Sequence, residues 1–162
     1  MGNIAIINLL SLQGGPNMYI QRATISELEP LTELFDLYRL FYKQESDIEG
    51  AKQFLKERIS KDDSVAFIAF EGEQPLGFVQ LYPSFSSVSM KSSWILNDLY
   101  VKKETRGRGV GEKLLKTAIQ FANETGAKGL FLETARDNDN APRLYEKIGF
   151  KKEENYFYYY SI

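Results

Sequence analysis

Apolar residues recur at helical spacing in four parts of the chain. The first run extends from Leu28 to Tyr42, and Thr24 and Glu27 just before it have the spacing of a capping box. A second helix is expected from Ile48 to Ile59, with Ser46 or Asp47 as its N-cap. The two remaining helices are predicted over Gly107–Asn123, ending at Gly126, and over Ala141–Ile148, with Asp139 or Asn140 as N-cap and Gly149 as the stop.

Short runs rich in β-branched and aromatic residues predict strands between these helices. The Ser-rich segment Pro83–Ser93 is predicted to be a loop, and the aromatic tail Phe150–Ile162 to form one or two strands. The other predicted strands are Tyr19–Ala23, Val65–Phe70, Leu76–Tyr82, Trp94–Val101 and Leu130–Thr134.

The first 17 residues differ from the rest of the chain. They end in a Gly-Gly-Pro-Asn turn, after which Met18 begins the strand pattern. Codons for Gln13–Gly15 can spell a bacterial ribosome-binding sequence, which makes Met18 a candidate native start. An ordinary N-terminal arm explains the same residues equally well. We therefore expect an extension over residues 1–17 and one domain over residues 18–162.

The composition excludes several kinds of catalytic and metal-binding site. The 162 residues include no Cys and no His, which excludes a thiol nucleophile, a zinc–thiolate site, a Ser-His-Asp triad and an imidazole base. The net charge of −2 argues against nucleic acid as the main partner. Because the chain lacks a run of about 18 apolar residues and a signal-peptide pattern, we expect no membrane partner and a cytoplasmic location.

The segment Arg106–Gly111 lies between a predicted strand and a predicted helix. Its sequence, Arg-Gly-Arg-Gly-Val-Gly, combines exposed backbone N–H groups, two guanidinium groups and a helix N-terminus, all of which favour a phosphate or pyrophosphate. The Walker A pattern, GxxxxGK followed by Ser or Thr, is absent from the chain. The dinucleotide-binding pattern GxGxxG is also absent, because the spacing here is GxGxG and position 112 is Glu. A glycine-rich helix entry without any ligand remains the alternative for this loop alone.

Two motifs together resemble the GNAT superfamily of N-acetyltransferases. The segment Leu99–Val101, followed by Arg106-x-x-Gly-x-Gly, resembles that family's acetyl-CoA loop. The pattern Asn138-x-x-Ala-x-x-Leu-Tyr145-x-x-x-Gly-Phe resembles its second motif. The resemblance implies a single α/β (α+β) domain, with a mixed, mostly antiparallel sheet, about four helices and splayed central strands. It implies acetyl-CoA as co-substrate and an amine as acceptor. The absence of Cys implies direct transfer without an acyl-enzyme, and no metal is expected.

The family's functional positions carry over by motif. Tyr145 is then the expected general acid for the departing thiolate, and the strand around Asp98 borders the reacting centre. The expected acetyl-CoA contacts are Leu99, Tyr100, Val101, Arg106, Gly107, Arg108, Gly109, Val110, Gly111 and Asn138.

One position departs from the family pattern. The strand Trp94–Val101 resembles the polyamine-acetylating branch, in which Glu commonly occupies the place of Asn97. An amide cannot accept a proton, so Asp98 is the first candidate base and Glu133 the second. A structural or solvated carboxylate is the alternative for Asp98.

The acceptor is expected to be a small amine. Acidic residues between the first two helices suit a cationic substrate, although a solvated turn has the same composition. The candidate substrate contacts are Tyr42, Glu45, Asp47, Gln80, Asn97 and Glu133. A polyamine or amino-acid-like amine is favoured, with a protein Lys or N-terminal amine and a non-catalytic acetyl-CoA sensor as alternatives. Dimers are common in the family that the chain resembles, and the aromatic tail is the expected contact of a homodimer.

Overall fold

The computed structural model describes residues 17–135, 138 and 140–162. The chain divides into two compact units: the first ends at Leu132 and the second is Glu133–Ile162. The expected extension falls largely outside the described residues, and the first strand begins at Met18. Within the described ranges, no helix has the length and apolar character needed to cross a membrane.

The first unit is built on a five-stranded sheet whose spatial order follows the chain. The first four strands pair antiparallel with their neighbours, and the fifth pairs parallel with the fourth. The strands are β1 (Met18–Arg22), β2 (Val65–Glu71), β3 (Gln74–Ser86), β4 (Lys91–Val101) and β5 (Leu130–Phe131).

Helices cover both faces of this sheet. The helices are α1 (Leu28–Phe41), α2 (Ile48–Ser60) and α3 (Val110–Glu124), with α4 (Asn140–Ile148) in the second unit. On one face, Leu31, Leu34 and Leu55 of α1 and α2 pack with Ile68 and Phe78 in a dry core. On the other face, Phe121 of α3 packs against Phe67 of β2 and Trp94 of β4. Since β2 is covered on both sides, its first six residues are all buried, as expected for a strand between two helical layers.

Local signals set several helix ends where the sequence predicts them. Thr24 and Glu27 form the capping box, and the Asp47 side chain caps α2 by accepting from the Gly50 N–H at 2.9 Å. Gly126 and Gly149 follow α3 and α4 with φ of +69° and +112°, a region in which glycine is favoured.

The prediction of a loop over Pro83–Ser93 is wrong for most of the segment. β3 runs through to Ser86 and β4 begins at Lys91, so the two strands form a long hairpin with a turn between them. Proline is tolerated because Pro83 pairs with Trp94, whose own N–H points away from β3 towards Gly129. The backbone nitrogen of Pro83, which carries no hydrogen, therefore faces the side of β3 that β2 occupies. β2 does not extend this far, because its last pair with β3 is Val65–Leu81, so no hydrogen bond is lost.

Three further boundaries differ from the prediction. α3 begins at Val110 rather than Gly107, because Gly107 and Gly109 have φ of +78° and +80°, which no helix accommodates. The strand expected over Leu130–Thr134 is limited to its first two residues. The tail Phe150–Ile162 forms neither helix nor strand: its aromatic pattern suits a strand, but the described part of its unit contains no strand to pair with it.

Candidate active site

The loop before α3 presents its backbone to open space. A Cβ atom built on Gly107 or Gly109 would meet no other atom within 4 Å, so nothing in the described chain covers these positions. Gly109 is the N-cap of α3, and the Lys113 N–H donates to its carbonyl at 3.1 Å. The amides of Val110, Gly111 and Glu112 precede that bond and have no acceptor within the helix. This arrangement fits an anionic phosphate group.

The two arginines of the loop have different surroundings. The Arg106 Nε donates to the Val101 carbonyl at 3.0 Å, and its guanidinium lies 5.6 Å from the centre of the Phe41 ring. Arg108 instead forms an exposed ion pair with Glu71 at the end of β2. Arg106 therefore holds the loop against β4, whereas Arg108 must leave Glu71 to contact a phosphate.

An open edge of β4 lies beside this loop. β4 pairs with β3 along its length, but it pairs with β5 only at Trp94 and Ile95. The Lys102 N–H donates to Leu76 of β3, so strand alternation turns the backbone groups of Leu99 and Val101 to the opposite edge. These groups face no strand among the described residues, which agrees with the splay that the resemblance to the GNAT family implies.

A β-bulge at Asn97 reverses which side chains of β4 point to which face of the sheet. Gln80 pairs with Asp98 and Leu81 with Leu96, so Asn97 has no partner on β3. Trp94 accordingly contacts Phe121 of α3, while Tyr100, six positions later, contacts Tyr38 of α1. Residues six apart on a regular strand share a face, so the extra residue is what turns Asp98 and Tyr100 towards α1.

Asp98 is a buried carboxyl group in a polar network. Only 3% of its surface is exposed, and its two oxygens accept from the Asn97 Nδ2 and the Gln80 Nε2, both at 3.0 Å. The Tyr38 hydroxyl adds a third interaction, and the Gln80 Nε2 also donates to the Tyr82 hydroxyl oxygen at 2.7 Å. Five polar side chains thus meet between α1, β3 and β4.

Burial changes the acidity of this network. Burial raises the pKa of Asp98 above its usual range, although the hydrogen bonds from Tyr38, Asn97 and Gln80 oppose the shift. Burial, with the nearby charge of Asp98, also raises the pKa of Tyr82 to about 12 and that of Tyr38 well above its ordinary value. Both phenols therefore keep their protons at neutral pH.

Hydrogen bonds that stabilise the turn between α1 and α2 account for part of its acidic composition. Buried Asp36 accepts from the Ser46 hydroxyl at 2.6 Å and from the Asp47 N–H at 2.9 Å. The Arg39 side chain donates to the Glu45 carbonyl at 3.1 Å and lies near Asp36. Asp47 is occupied as the N-cap of α2, so the carboxylate of Glu45 is the acidic group of this turn that no capping bond holds.

The remaining predicted site residues occupy two places. Tyr42 lies on the first unit, about half exposed, with its ring against Tyr38 and Phe41. Glu133, Asn138 and Tyr145 belong to the second unit.

The second motif has its own local order. There the Asn138 side-chain oxygen accepts from the Ala141 N–H at 3.4 Å at the start of α4. The Tyr145 ring packs edge-on against Phe150 at 5.9 Å. No cluster of three potential metal ligands occurs among the residues that the structure describes.

Sequence analysis missed Tyr38 as a member of the site. It lies on the apolar stripe of α1, where helical spacing indicates only a core residue. The signal that could have pointed to the network is Gln80, a fully buried amide within the apolar strand β3. The bulge at Asn97 has no signal in the sequence.

Comparison with known proteins agrees with this geometry. The family described as "Acetyltransferase (GNAT) family" matches residues 31–150. An uncharacterized N-acetyltransferase, YhfO, of Bacillus subtilis (strain 168) is 44% identical over 142 residues, covering 88% of this chain and 95% of that protein. A probable acetyltransferase of Haemophilus influenzae is 32% identical, covering 83% of this chain and 90% of its own length.

Solved structures give the same result. The crystal structure of a probable acetyltransferase superposes with a TM-score of 0.83 at 42% identity, over 89% of this chain and 99% of that one. An aminoglycoside acetyltransferase from a soil metagenome has a TM-score of 0.80 at 20% identity, which shows a shared fold alone. With the loop, the open edge of β4 and these relatives in agreement, the chain belongs to the GNAT family of acetyltransferases, acyltransferases that use acetyl-CoA.

Proposed function

We infer that the protein transfers the acetyl group of acetyl-CoA directly to a primary amine of a small molecule. The observation that carries this proposal is the pairing, in one unit, of an open glycine-rich loop at the start of α3 with an unpaired stretch of β4. The first suits a pyrophosphate, and the second suits an extended chain that needs backbone hydrogen bonds. The chain contains no Cys, so no thiol is available to carry an acyl intermediate.

The donor is assigned to the loop and the strand edge together. The amides of Gly107–Gly111 receive the pyrophosphate, with Arg106 and Arg108 adding positive charge. The pantetheine arm runs along the edge formed by Leu99, Tyr100 and Val101. Asn138, which belongs to the second unit, is proposed as a donor contact on its match to the family's second motif alone. Support comes from the φ angles of Gly107 and Gly109 and from the open space in front of them.

The chemistry is a single displacement at the thioester. The neutral amine attacks the acetyl carbon, a C–N bond forms, and the C–S bond breaks from a tetrahedral intermediate. Its oxyanion needs a positioned donor, and an N–H on the open edge of β4 is suitable. Tyr145 gives its proton to the departing thiolate, and the amine loses one proton in exchange.

The proton of the amine is assigned to Asp98 through a water molecule. Its carboxylate is almost wholly buried, which argues against direct contact with the substrate. A carboxylate has about four lone-pair positions, and Asn97, Gln80 and Tyr38 use three, which leaves one for a water. Glu133 is the second candidate.

An Asp98→Asn variant tests this assignment through the pH dependence of the rate. Asp98 must be ionised to accept a proton, so wild-type activity is lost as the pH falls through its raised pKa. Without that acceptor, only substrate that binds already deprotonated can react. We therefore expect the rising limb of kcat/KM to move to higher pH, with a loss of about a hundredfold at neutral pH.

Asp36→Asn is the matched control, because it removes another buried carboxylate that serves the α1–α2 turn. An unchanged pH profile for Asp98→Asn would move the base to Glu133. A shift of equal size in both variants would mean that the profile reports stability.

The acceptor assignment rests on the acidic and polar character of the proposed contacts. Glu45, Tyr42, Asp47 and Asn97 remain the proposed contacts for a cationic amine. Gln80 is fully buried, so its proposed contribution is made through Asp98 and Tyr82. An amino-acid-like amine and a polyamine both fit this description. The three proteins above that share more than 30% identity with this chain have names that specify no acceptor, so their similarity does not choose between these two amines.

One experiment separates the proposed function from its alternatives. Release of CoA thiol is followed with acetyl-CoA and a panel of amino alcohols, amino acids, polyamines and peptides with free Lys or N-terminal amines. Turnover with small amines supports the proposal, and turnover with peptides alone replaces it with a protein acetyltransferase. Tight acetyl-CoA binding in calorimetry without any turnover replaces it with a sensor.

A further inference from the structure

The buried carboxylate of Asp98 sets the orientation of two carboxamide groups. Asn97 approaches one of its oxygens and Gln80 the other, each at 3.0 Å. A carboxylate offers only acceptors, so each amide must turn its NH₂ group, and not its carbonyl, towards Asp98. An amide free of such a partner could adopt either orientation.

The orientation of Gln80 determines whether the Tyr82 hydroxyl donates or accepts a hydrogen bond. The amide nitrogen of Gln80 carries two hydrogens, and the second points at the Tyr82 hydroxyl oxygen at 2.7 Å. The Tyr82 oxygen is therefore an acceptor towards Gln80, and its own O–H must be donated in another direction. In the part of the chain that the structure describes, that O–H has no acceptor. With its pKa raised to about 12, Tyr82 keeps this proton at any working pH.

The orientation of Asn97 leaves a hydrogen-bond acceptor, its carbonyl oxygen, free of the network. Its nitrogen is held by Asp98, so its carbonyl oxygen faces away from the network. Asn97 is an exposed residue of the bulge, in contrast to Asp98, which is buried. The network thus presents one outward acceptor, the Asn97 Oδ1, and one outward donor, the Tyr82 O–H.

We propose that these two groups recognise the acceptor, and that the acceptor is therefore an amine bearing an oxygen close to its nitrogen, as in an amino alcohol or an amino acid. This inference rests on the proposed function and narrows its substrate class. The amine N–H is donated to the Asn97 Oδ1, and the substrate oxygen accepts from Tyr82. Asp98 acts as a positioning residue for both contacts.

The size of the network limits the spacing of the two substrate groups. Tyr82 and Asn97 are connected by three hydrogen bonds of 2.7, 3.0 and 3.0 Å through one amide and one carboxylate. These bonds set an upper limit on the separation of the two groups, and we expect a single small molecule to be able to contact both. A plain alkylamine or a polyamine offers Tyr82 no oxygen and leaves its donor unsatisfied, which is costly in a half-buried site.

The test compares two acceptors, 2-aminoethanol and propylamine, in wild type and in Tyr82→Phe. We expect wild type to prefer 2-aminoethanol, and Tyr82→Phe to reduce that preference about tenfold by lowering kcat/KM for 2-aminoethanol alone. The different basicities of the two amines cancel when the ratio in the variant is divided by the ratio in wild type. Tyr19→Phe is the matched control, since it removes a phenol oxygen on β1 at the far edge of the sheet.

A second variant has a different expected pattern. Asn97→Leu keeps the size of the side chain and removes the acceptor for the amine itself, so kcat/KM should fall about equally for both acceptors. Tyr82→Phe alone decides the case if Asn97→Leu does not fold. Equal losses for both acceptors in Tyr82→Phe, or no loss, would overturn the inference while leaving the proposed function intact. If wild type acetylates no small amine, the proposed function falls and the inference with it.

Discussion

Replacing Tyr145 by Phe should lower kcat by about 10²–10⁴-fold, with little change in KM for acetyl-CoA. The variant keeps the ring that packs against Phe150 and removes only the hydroxyl. A thiolate is a poor leaving group unless it is protonated as the C–S bond breaks. A tyrosine phenol, with an ordinary pKa near 10, can supply that proton to a thiol of about similar acidity. The loss should therefore appear in the chemical step and not in donor binding.

The measurement is single-turnover kinetics with saturating acetyl-CoA, which isolates the chemical step from product release. Tyr160→Phe is the matched control, because it removes an exposed hydroxyl from the same unit. A Tyr145→Phe variant that turns over at the wild-type rate while chemistry is rate-limiting would leave Tyr145 as a packing residue only.

Replacing Gly109 by Glu should lower the affinity for CoA by at least about a hundredfold. Gly109 has φ of +80°, and a residue with a side chain pays roughly 1–3 kcal/mol to adopt that conformation. The added carboxylate would also occupy the positive N-terminus of α3, where a phosphate group is expected to bind. Arg106→Ala should cost about ten- to a hundredfold, because it removes a cation and the hydrogen bond that holds the loop to the Val101 carbonyl.

Calorimetric titration with CoA measures both variants. Gly126→Glu is the control, since it introduces the same residue at a similar positive φ, with the same open surroundings, at the opposite end of α3. All three proteins should be compared for melting temperature, so that lost affinity is not confused with lost folding. Wild-type CoA affinity in both Gly109→Glu and Arg106→Ala would remove the loop from the donor site.

Local chemistry allowed much of this fold to be predicted from the sequence. The capping box at Thr24 and Glu27, the apolar stripe of α1 and the glycine after α3 are each decided by neighbours a few residues away. The glycine-rich loop belongs to the same class, because its positive φ angles depend on residue type more than on distant contacts. This loop and the second motif, Asn138–Phe150, in their order along the chain, were enough to indicate a resemblance to the GNAT family.

Tertiary pairing decided the hairpin and the tail. Serine and proline in residues 83–93 are typical of a loop, yet pairing of β3 with β4 makes most of the segment a strand. The aromatic tail has a strand pattern without a strand to pair with in the described part of its unit. In both cases strand formation depends on a partner that the local sequence does not specify.

Tertiary structure also decided the chemistry around Asp98. A sequence read with a period of two puts Asp98 on the same face as Trp94, whereas the bulge at Asn97 turns it towards Tyr38 and Gln80. The pairing of Arg108 with Glu71, 37 positions away, is equally invisible in the local sequence. The sequence by itself thus determined the helices, the loop and the family, because these depend on residue type and short spacing. The surroundings of the reacting groups depend on strand register, which is set only when distant segments pack together.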